Sequence, residues 1–597
     1  MDIFYKKNNN KEIFDKISKE EFLDLNKIQN YIPIYNIFFD LNDTNYNSIN
    51  LNNSYRLYDL HSKISYSKFA GKIIDNSSNS FKKNIFFKFS PLLDPIKYMI
   101  GKYENSYNIL ELPKINNNDS NIHEKLFDTN NSAYSDGFFS YLSSLLLNNY
   151  NFKNGIDYYG SFLSIKHNFN VEISDDIEYL DESNFFHSKL SKNFNLEEPN
   201  KYKKLFNSTK KNKHLLIYNS NNSLACNNLD NSDNLDNSDN PDNLDNSNTP
   251  DNLDNFDLNI KELTIENLET MNLDNSTKLV EIEKICDKSE TNNTNTHYNN
   301  SDYKNVKNKK TNDANVSESS CSSRYSETNS ENSSTSDDDD DTSSEGSSST
   351  INDINIQIDK YPVQIIALEC CENTLDDYII HSKILDKEWE SIILQILFTL
   401  ITYQKTFNFT HNDLHTNNIV YNYTEKKYLY YKYNNRHYKV PTFGKIYKII
   451  DFGRAIYNFK GQTICSNSYC SDGDANSQYN CEPYLVANKP RIDPNNSFDL
   501  CRLACSLFDY FVDDLSDLKK IKSPIKKIIL SWVYDDHNKN ILYKNNGEER
   551  YPDFKLYKMI ARTVHNCVPK KVIQNYLFDK YLITKKKINC TSIINID

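Results

Sequence analysis

No run of apolar residues in this sequence is long enough to cross a bilayer. The most hydrophobic stretch, SIILQILFTLIT at 391–402, falls well short of the roughly 20 residues a spanning helix needs. The opening residues, MDIFYKKNNNKEIFDKISKEEF, have no continuous apolar region after their first charges, so no secretory leader is read there. The 12 cysteines are scattered without a CxxC pair, which fits a reducing compartment better than a disulfide framework. No basic excess exists either: the net charge is −13, which argues against a general nucleic-acid-binding role. These absences together predict a soluble intracellular protein with neither a membrane nor a nucleic acid as partner.

What is abundant is unevenly distributed. Residues 219–352 are dominated by Asn, Asp, Ser and Thr, with the near-repeat LDNSDNLDNSDNPDNLDNSNTPDNLDNFDL and later SSTSDDDDDTSSEGSSST. Such a stretch offers too little apolar surface to offset roughly 1–2 kcal/mol of backbone entropy per ordered residue. It reads as a disordered acidic insert, and the net negative charge is concentrated in it. The whole chain has 43 Tyr and 32 Phe, and outside the insert there is enough Ile and Leu to bury a large core.

Along the remainder, strand patterns come early and helical patterns late. NIFFKFSPLL from Asn84 predicts a strand turning at Pro91, and GFFSYLSSLLL after Asp136 has helical spacing. YPVQIIALECCENTLDDYII predicts a buried strand ending near Glu369, then a loop, then a helix from about Thr374, where Thr374 and Asp377 form a capping box. KEWESIILQILFTLITYQKTFNF is a long apolar-rich helix. NIVYNY, KYLYYKY and GKIYKIIDFGRAI are three further strand-like pieces, and FDLCRLACSLFDYFVDDL and IKKIILSWVYDD are helical. The expectation is an α+β, two-lobed architecture with the insert lying between strands of the first lobe.

The segment FTHNDLHTNNIVY at 409–421 concentrates chemistry-bearing side chains. Phosphoryl transfer from a nucleotide needs a carboxylate to orient the attacking hydroxyl, oxygen ligands for Mg²⁺, and a cation on the phosphates. Asp413 can accept the hydroxyl proton, while Asn418 and the Asp451 of IIDFGRA can supply hard oxygen ligands. His411 and His415 are spaced as zinc ligands on a helix can be, but no H-E-x-x-H or neighbouring Cys pair completes a site. Cys465, Cys470 and Cys481 match no common zinc spacing, and DGDANS at 472–477 lacks the Gly and Glu of a calcium loop.

H-x-D-L-x-x-x-N followed by D-F-G, in that order and separated by strand-like stretches, resembles the protein-kinase superfamily. The resemblance covers roughly residues 55–220 and 355–580. It implies a kinase-like fold with a small β-rich N-lobe and a larger helical C-lobe, and ATP and Mg²⁺ as cofactors. It divides the chain into an N-terminal extension (1–54), a first part of the N-lobe (55–218), the insert (219–352), the end of the N-lobe with the hinge (353–371), the C-lobe (372–582) and a tail (583–597). It implies Asp413 as the catalytic residue and Asn418 and Asp451 as metal ligands. Lys88 of IFFK would hold the phosphates, with Asp136 or Glu124 as its acidic partner. Leu368 would be the gatekeeper, with the backbone of Glu369 and Cys371 facing the adenine. Asp499 would fix the catalytic-loop backbone, with a plain acid at a helix N-terminus as the alternative.

The sequence departs from the family pattern in three places. No G-x-G-x-x-G precedes Lys88, Gly71 being the only glycine before it. Asn412 stands where an arginine is usual, and His415 where serine/threonine kinases carry lysine, as in haspin-like and aminoglycoside-type kinases. The C-terminal NGEERYPDFKLYKMIARTVHNCVP resembles kinase-like proteins of large amoeba-infecting DNA viruses. The resemblance implies a serine/threonine protein kinase acting on a protein substrate. A pseudokinase scaffold and a small-molecule kinase are the alternatives.

Overall fold

The computed structural model describes residues 1–8, 10–19, 23–103, 108–115, 122–197, 354–584 and 593–597, so the acidic insert read at 219–352 lies outside the described residues. The described chain is a mixed α/β structure built around one large antiparallel sheet and a set of helices.

The sheet contains β1 (Leu25–Gln29), β2 (Tyr55–Lys63), β3 (Lys68–Asp75), β4 (Ser80–Pro91), β5 (Tyr158–Glu172), β6 (Phe194–Leu196) and β7 (Asn355–Glu369). Its order is β1-β5-β7-β4-β3-β2, with β6 also pairing β7. The edge strand β1 comes from the stretch read as an N-terminal extension. The two chain segments that flank the insert are themselves hydrogen-bonded neighbours, Phe194 opposite Ile358.

The period of two in β4 sorts its side chains. Ile85, Phe87 and Phe89 are buried in the core, which turns Phe86 and Lys88 to the other face. Register with β7 sets Phe86 opposite Leu368 and Lys88 opposite Ile366, so Phe86 and Leu368 share a face.

Helix α1 (Ser132–Asn149) is buried along most of its length and packs on the sheet. The Asn131 carboxamide oxygen caps it by accepting from the Ala133 amide at 3.0 Å. Gly137 permits the close approach, because a Cβ there would lie 2.0 Å from the Gln364 Nε2 of β7. Helix α2 (Leu375–His381) starts at Thr374, whose hydroxyl accepts from the Asp377 amide at 3.1 Å. Helix α3 (Asp386–Phe407) is apolar on nearly every side and central. It stops at Asn408, which takes the left-handed conformation (φ 47°) and donates to the Gln404 carbonyl.

Strand β8 (Ile419–Tyr423) pairs antiparallel with β11 (Lys445–Ile449), Ile419 opposite Ile449. Between them runs a hairpin of β9 (Tyr428–Tyr433) and β10 (Arg436–Pro441), the latter not anticipated from sequence. Its two-residue turn, Asn434 and Asn435, has both residues at positive φ, a conformation Asn tolerates and right-twisted hairpins favour. Helices α4 (Phe498–Phe511), α5 (Pro524–Ser531) and α6 (Lys555–Thr563) follow. Among the described residues no helix is long and apolar enough to cross a membrane.

Candidate active site

Lys88 is the centre of a buried charge cluster. Its Nζ lies 2.6 Å from Asp136 Oδ2 and 2.7 Å from Asp451 Oδ1, with side-chain exposures of 14%, 3% and 28% for Lys88, Asp136 and Asp451. Burial opposes the ammonium, but the two carboxylates outweigh it and hold the lysine above its usual value. The acids diverge. Burial and the neighbouring Asp451 carry Asp136 upward against the pull of Lys88. For Asp451 the pull of Lys88 overcomes burial, and its carboxyl lies below the usual range. The structure thus selects Asp136 over Glu124, which sits in a short 3₁₀ turn, Glu124–Leu126, ahead of α1. Asp136 also accepts from the Phe452 amide at 2.9 Å, tying α1 to the segment that carries Asp451. Asp451 itself has φ 65°.

The loop from Phe409 to Asn418 is held from below. Asp499, fully buried at the start of α4, accepts from the His411 amide (3.1 and 3.0 Å) and the Asn412 amide (2.9 Å). It is therefore a backbone anchor rather than a solvent-facing helix-terminal acid. His411 Nε2 donates to the Ile450 carbonyl at 2.9 Å, while its Nδ1 accepts from the Asp413 amide at 3.3 Å, which assigns the tautomer. Asn412, at φ 66°, donates to the Arg454 carbonyl at 3.0 Å and accepts from the Tyr479 hydroxyl at 2.7 Å. Where the family pattern has a cation, this chain has a neutral tie.

Asn418 ends the loop beside Asp451, because the β8–β11 pairing brings the Ile450 amide to the Asn418 carbonyl at 3.0 Å. Its Nδ2 donates twice, to the Asp413 carbonyl (2.9 Å) and to His415 Nε2 (3.1 Å). His415 must then be neutral, and burial pushes its pKa down accordingly. With both amide protons used, Asn418 Oδ1 is left buried and without a hydrogen-bond partner among the described residues. A hard cation beside Asp451 would satisfy that oxygen. Asp413 is only 5% exposed, and its Oδ1 accepts from the Tyr557 hydroxyl at 2.7 Å.

A cavity of about 370 Å³ is lined by Lys88, Asp136 and Asp451 at one side and by Phe86, Leu368 and Val420 among its apolar walls; Asn417 lines it, whereas Asp413 and Asn418 are not among its lining residues. Of the residues expected at an adenine-binding edge, Leu368, Glu369 and Cys371 all line it. The amide of Glu369 is taken by the Asp157 carbonyl at 3.0 Å, and its carboxylate accepts from Lys448 and, at 2.6 Å, from Asn422. Sequence reasoning missed Ser67 and Lys68, which reach the cavity from the tip of the β2–β3 hairpin. This tip, ISYS at 64–67, contains no glycine. A polar turn between two alternating runs ahead of Lys88 was the signal available.

The segment after Asp451 is fastened to the start of α1. The Asn467 amide donates to the Asn130 carbonyl at 2.7 Å, and Asn467 Oδ1 accepts from the Ser132 amide at 3.1 Å. Arg454 pairs with Asp474 at 2.6 Å and Lys125 with Asp472 at 2.9 Å. Burial raises the Asp472 carboxyl, but the Cys470 thiol and Lys125 outweigh it and bring it down to about 2. A carboxyl depressed on folding stabilises above its unfolded value of about 3.9 and loses that contribution as pH falls through its folded value. The melting temperature of Asp472→Asn is accordingly expected to lie about a degree below wild type above pH ~4, since exposed pairs contribute little. The gap should close as pH falls towards ~2, and a gap that stays constant in a pH series of melting curves would remove the pair as its cause.

No family model matches the chain. A protein of Acanthamoeba polyphaga mimivirus, provisionally named a serine/threonine-protein kinase, is 29% identical over 147 residues, which is 24% of this chain and 34% of that protein. The chain thus matches about a third of that relative's length.

Proposed function

We propose that this chain is a kinase that transfers the γ-phosphoryl group of ATP, in the presence of Mg²⁺, to Ser or Thr hydroxyls of a protein, on a two-lobed kinase-like fold. The observation that carries the reading is the buried cluster in which Lys88 meets Asp136 and Asp451 at the wall of one cavity, with the loop of Asp413 and Asn418 joined to the segment just before Asp451 through the Ile450 amide and the Asn418 carbonyl. The similarity to a kinase-named viral protein agrees with it. The apolar walls suit a flat base. Lys88, kept charged by its two acids, would meet phosphate oxygens, and Asp136 would keep it in place. Asn418 Oδ1 and Asp451 would hold Mg²⁺, which supplies charge neutralisation on the phosphates when bound. Asp413 would orient the acceptor hydroxyl and take its proton through the oxygen not used by Tyr557.

Asp413→Asn tests this. It preserves shape while removing the proton-accepting charge, so incorporation of radiolabelled phosphate into a mixed protein panel should fall by roughly 10²-fold or more. The nucleotide-induced melting shift should persist. Equal incorporation by an active wild type and the variant would refute the role of Asp413. A second reading, a pseudokinase that binds without transferring, is favoured by the near burial of Asp413 and the glycine-free hairpin tip. On that reading wild type and variant give the same background.

A further inference from the structure

Helix α6, which lies in the C-terminal segment that resembles viral kinase-like proteins, contacts the proposed catalytic loop directly. We infer that Tyr557, on α6, is a positioning residue for Asp413, oriented in turn by Arg502 of α4. This rests on the phosphotransfer reading.

The hydrogen-bond directions follow from the donor inventory. Arg502 Nε can only donate, and it lies 2.8 Å from the Tyr557 hydroxyl, so the phenol oxygen accepts there. The single phenolic proton is then committed to Asp413 Oδ1 at 2.7 Å. Arg502 Nε is itself 3.9 Å from that oxygen, close enough to attract but too far to replace the bond. The relay is rigid. The Tyr557 ring stacks on Phe554 with centroids 5.3 Å apart and 16° between planes. The guanidiniums of Arg502 and Arg454 lie over the same ring at 5.1 and 5.6 Å. Tyr557 is 4% exposed, so water does not compete for the contact.

The arrangement fixes one carboxylate oxygen of Asp413 and with it the direction of the other, to which the phosphotransfer reading assigns the acceptor. A carboxylate free to rotate would spend much of its time misaligned, and small errors of placement are costly in rate. The same helix secures the segment beyond the loop, since Arg562 donates to the Ser477 carbonyl at 2.7 Å and to the Gln478 carbonyl at 3.4 Å. Packing alone does not account for Tyr557, because phenylalanine would stack equally well and leave Arg502 and Asp413 unjoined.

Tyr557→Phe keeps the ring and removes the relay. In the full-length chain, assayed with radiolabelled Mg-ATP and the mixed protein panel, kcat is expected to fall about tenfold. KM for ATP should be unchanged, and the melting temperature should fall by no more than a few degrees for the lost phenol hydrogen bonds. In an Asp413→Asn background the same substitution should cost nothing further, because a residue acting through Asp413 has nothing left to position. Arg502→Lys, which lacks the Nε donor, should reproduce the fall. Independent, multiplicative losses in the double variant would overturn the inference in favour of a purely structural role. Unchanged turnover in Tyr557→Phe overturns it as well. Faster turnover would show that the phenol blocks the acceptor position instead. In each of these cases an active wild type leaves the phosphotransfer reading standing. A wild type no better than Asp413→Asn would refute that reading and the inference together.

Discussion

Asp451→Asn is expected to abolish magnesium-dependent nucleotide binding and to lower turnover by about 10²-fold or more, the scale of several kcal/mol that a positioned metal ion supplies. Asparagine is the informative replacement because residue 451 sits at φ 65°, where alanine would be strained and asparagine is tolerated. The carboxamide keeps the volume but loses the charge that pairs with Lys88 and that, on the proposed function, Mg²⁺ would require. Lys88 would still hold Asp136 at 2.6 Å, so α1 should stay in place and the melting temperature should move by no more than a few degrees. Calorimetric titration with Mg-ATP is the direct measurement. Unchanged affinity together with unchanged turnover would show that Asp451 is a structural partner of Lys88 and nothing more.

The largest stability effect is expected at Asp499. Alanine there would leave the amides of His411 and Asn412 without their acceptor at a position with no access to water. Hydrogen bonds to charged groups contribute about 1.5–3 kcal/mol, and an orphaned buried donor costs a further ~1–3 kcal/mol, so a loss of about 3 kcal/mol or more is expected. Burial holds this carboxyl above its usual range, which the amide bonds only partly offset. Asp499→Asn should lose less, since the carboxamide retains one acceptor oxygen. Urea denaturation of the two variants tests the order. A midpoint for Asp499→Ala equal to wild type would mean that the loop is supported elsewhere.

The local features were legible because their signals are local. The apolar and aromatic run around Lys88 predicts a strand that turns at Pro91, and the Thr374 to Asp377 spacing predicts a capped helix start. Both are found. The spacing from His411 to Asn418 places chemistry-bearing groups in one loop, and the strand pairing of β8 with β11 brings Asp451 beside its end. That pairing reaches across the intervening β9–β10 hairpin, so it belongs to the tertiary structure rather than to the local signal.

Relations between distant segments were not legible. Whether Lys88 pairs with Asp136 or Glu124 depends on the rotation and approach of α1, which Gly137 and its contact with Gln364 set. Strand β10 was overlooked because RHYKVP is short and polar, and its pairing with β9 and with Leu582–Ile583 stabilises it in place of propensity. The polar edge strand β1 joined the sheet by backbone pairing, which is blind to side-chain composition. Tyr557 lies 144 residues from Asp413, and no spacing rule connects them. The residue types and their order along the chain were therefore determined by sequence alone. Which carboxylate meets the lysine, which amides Asp499 serves and which oxygen of Asp413 the Tyr557 hydroxyl engages were decided only by packing, because those contacts exist only when separate elements are brought to hydrogen-bond distance.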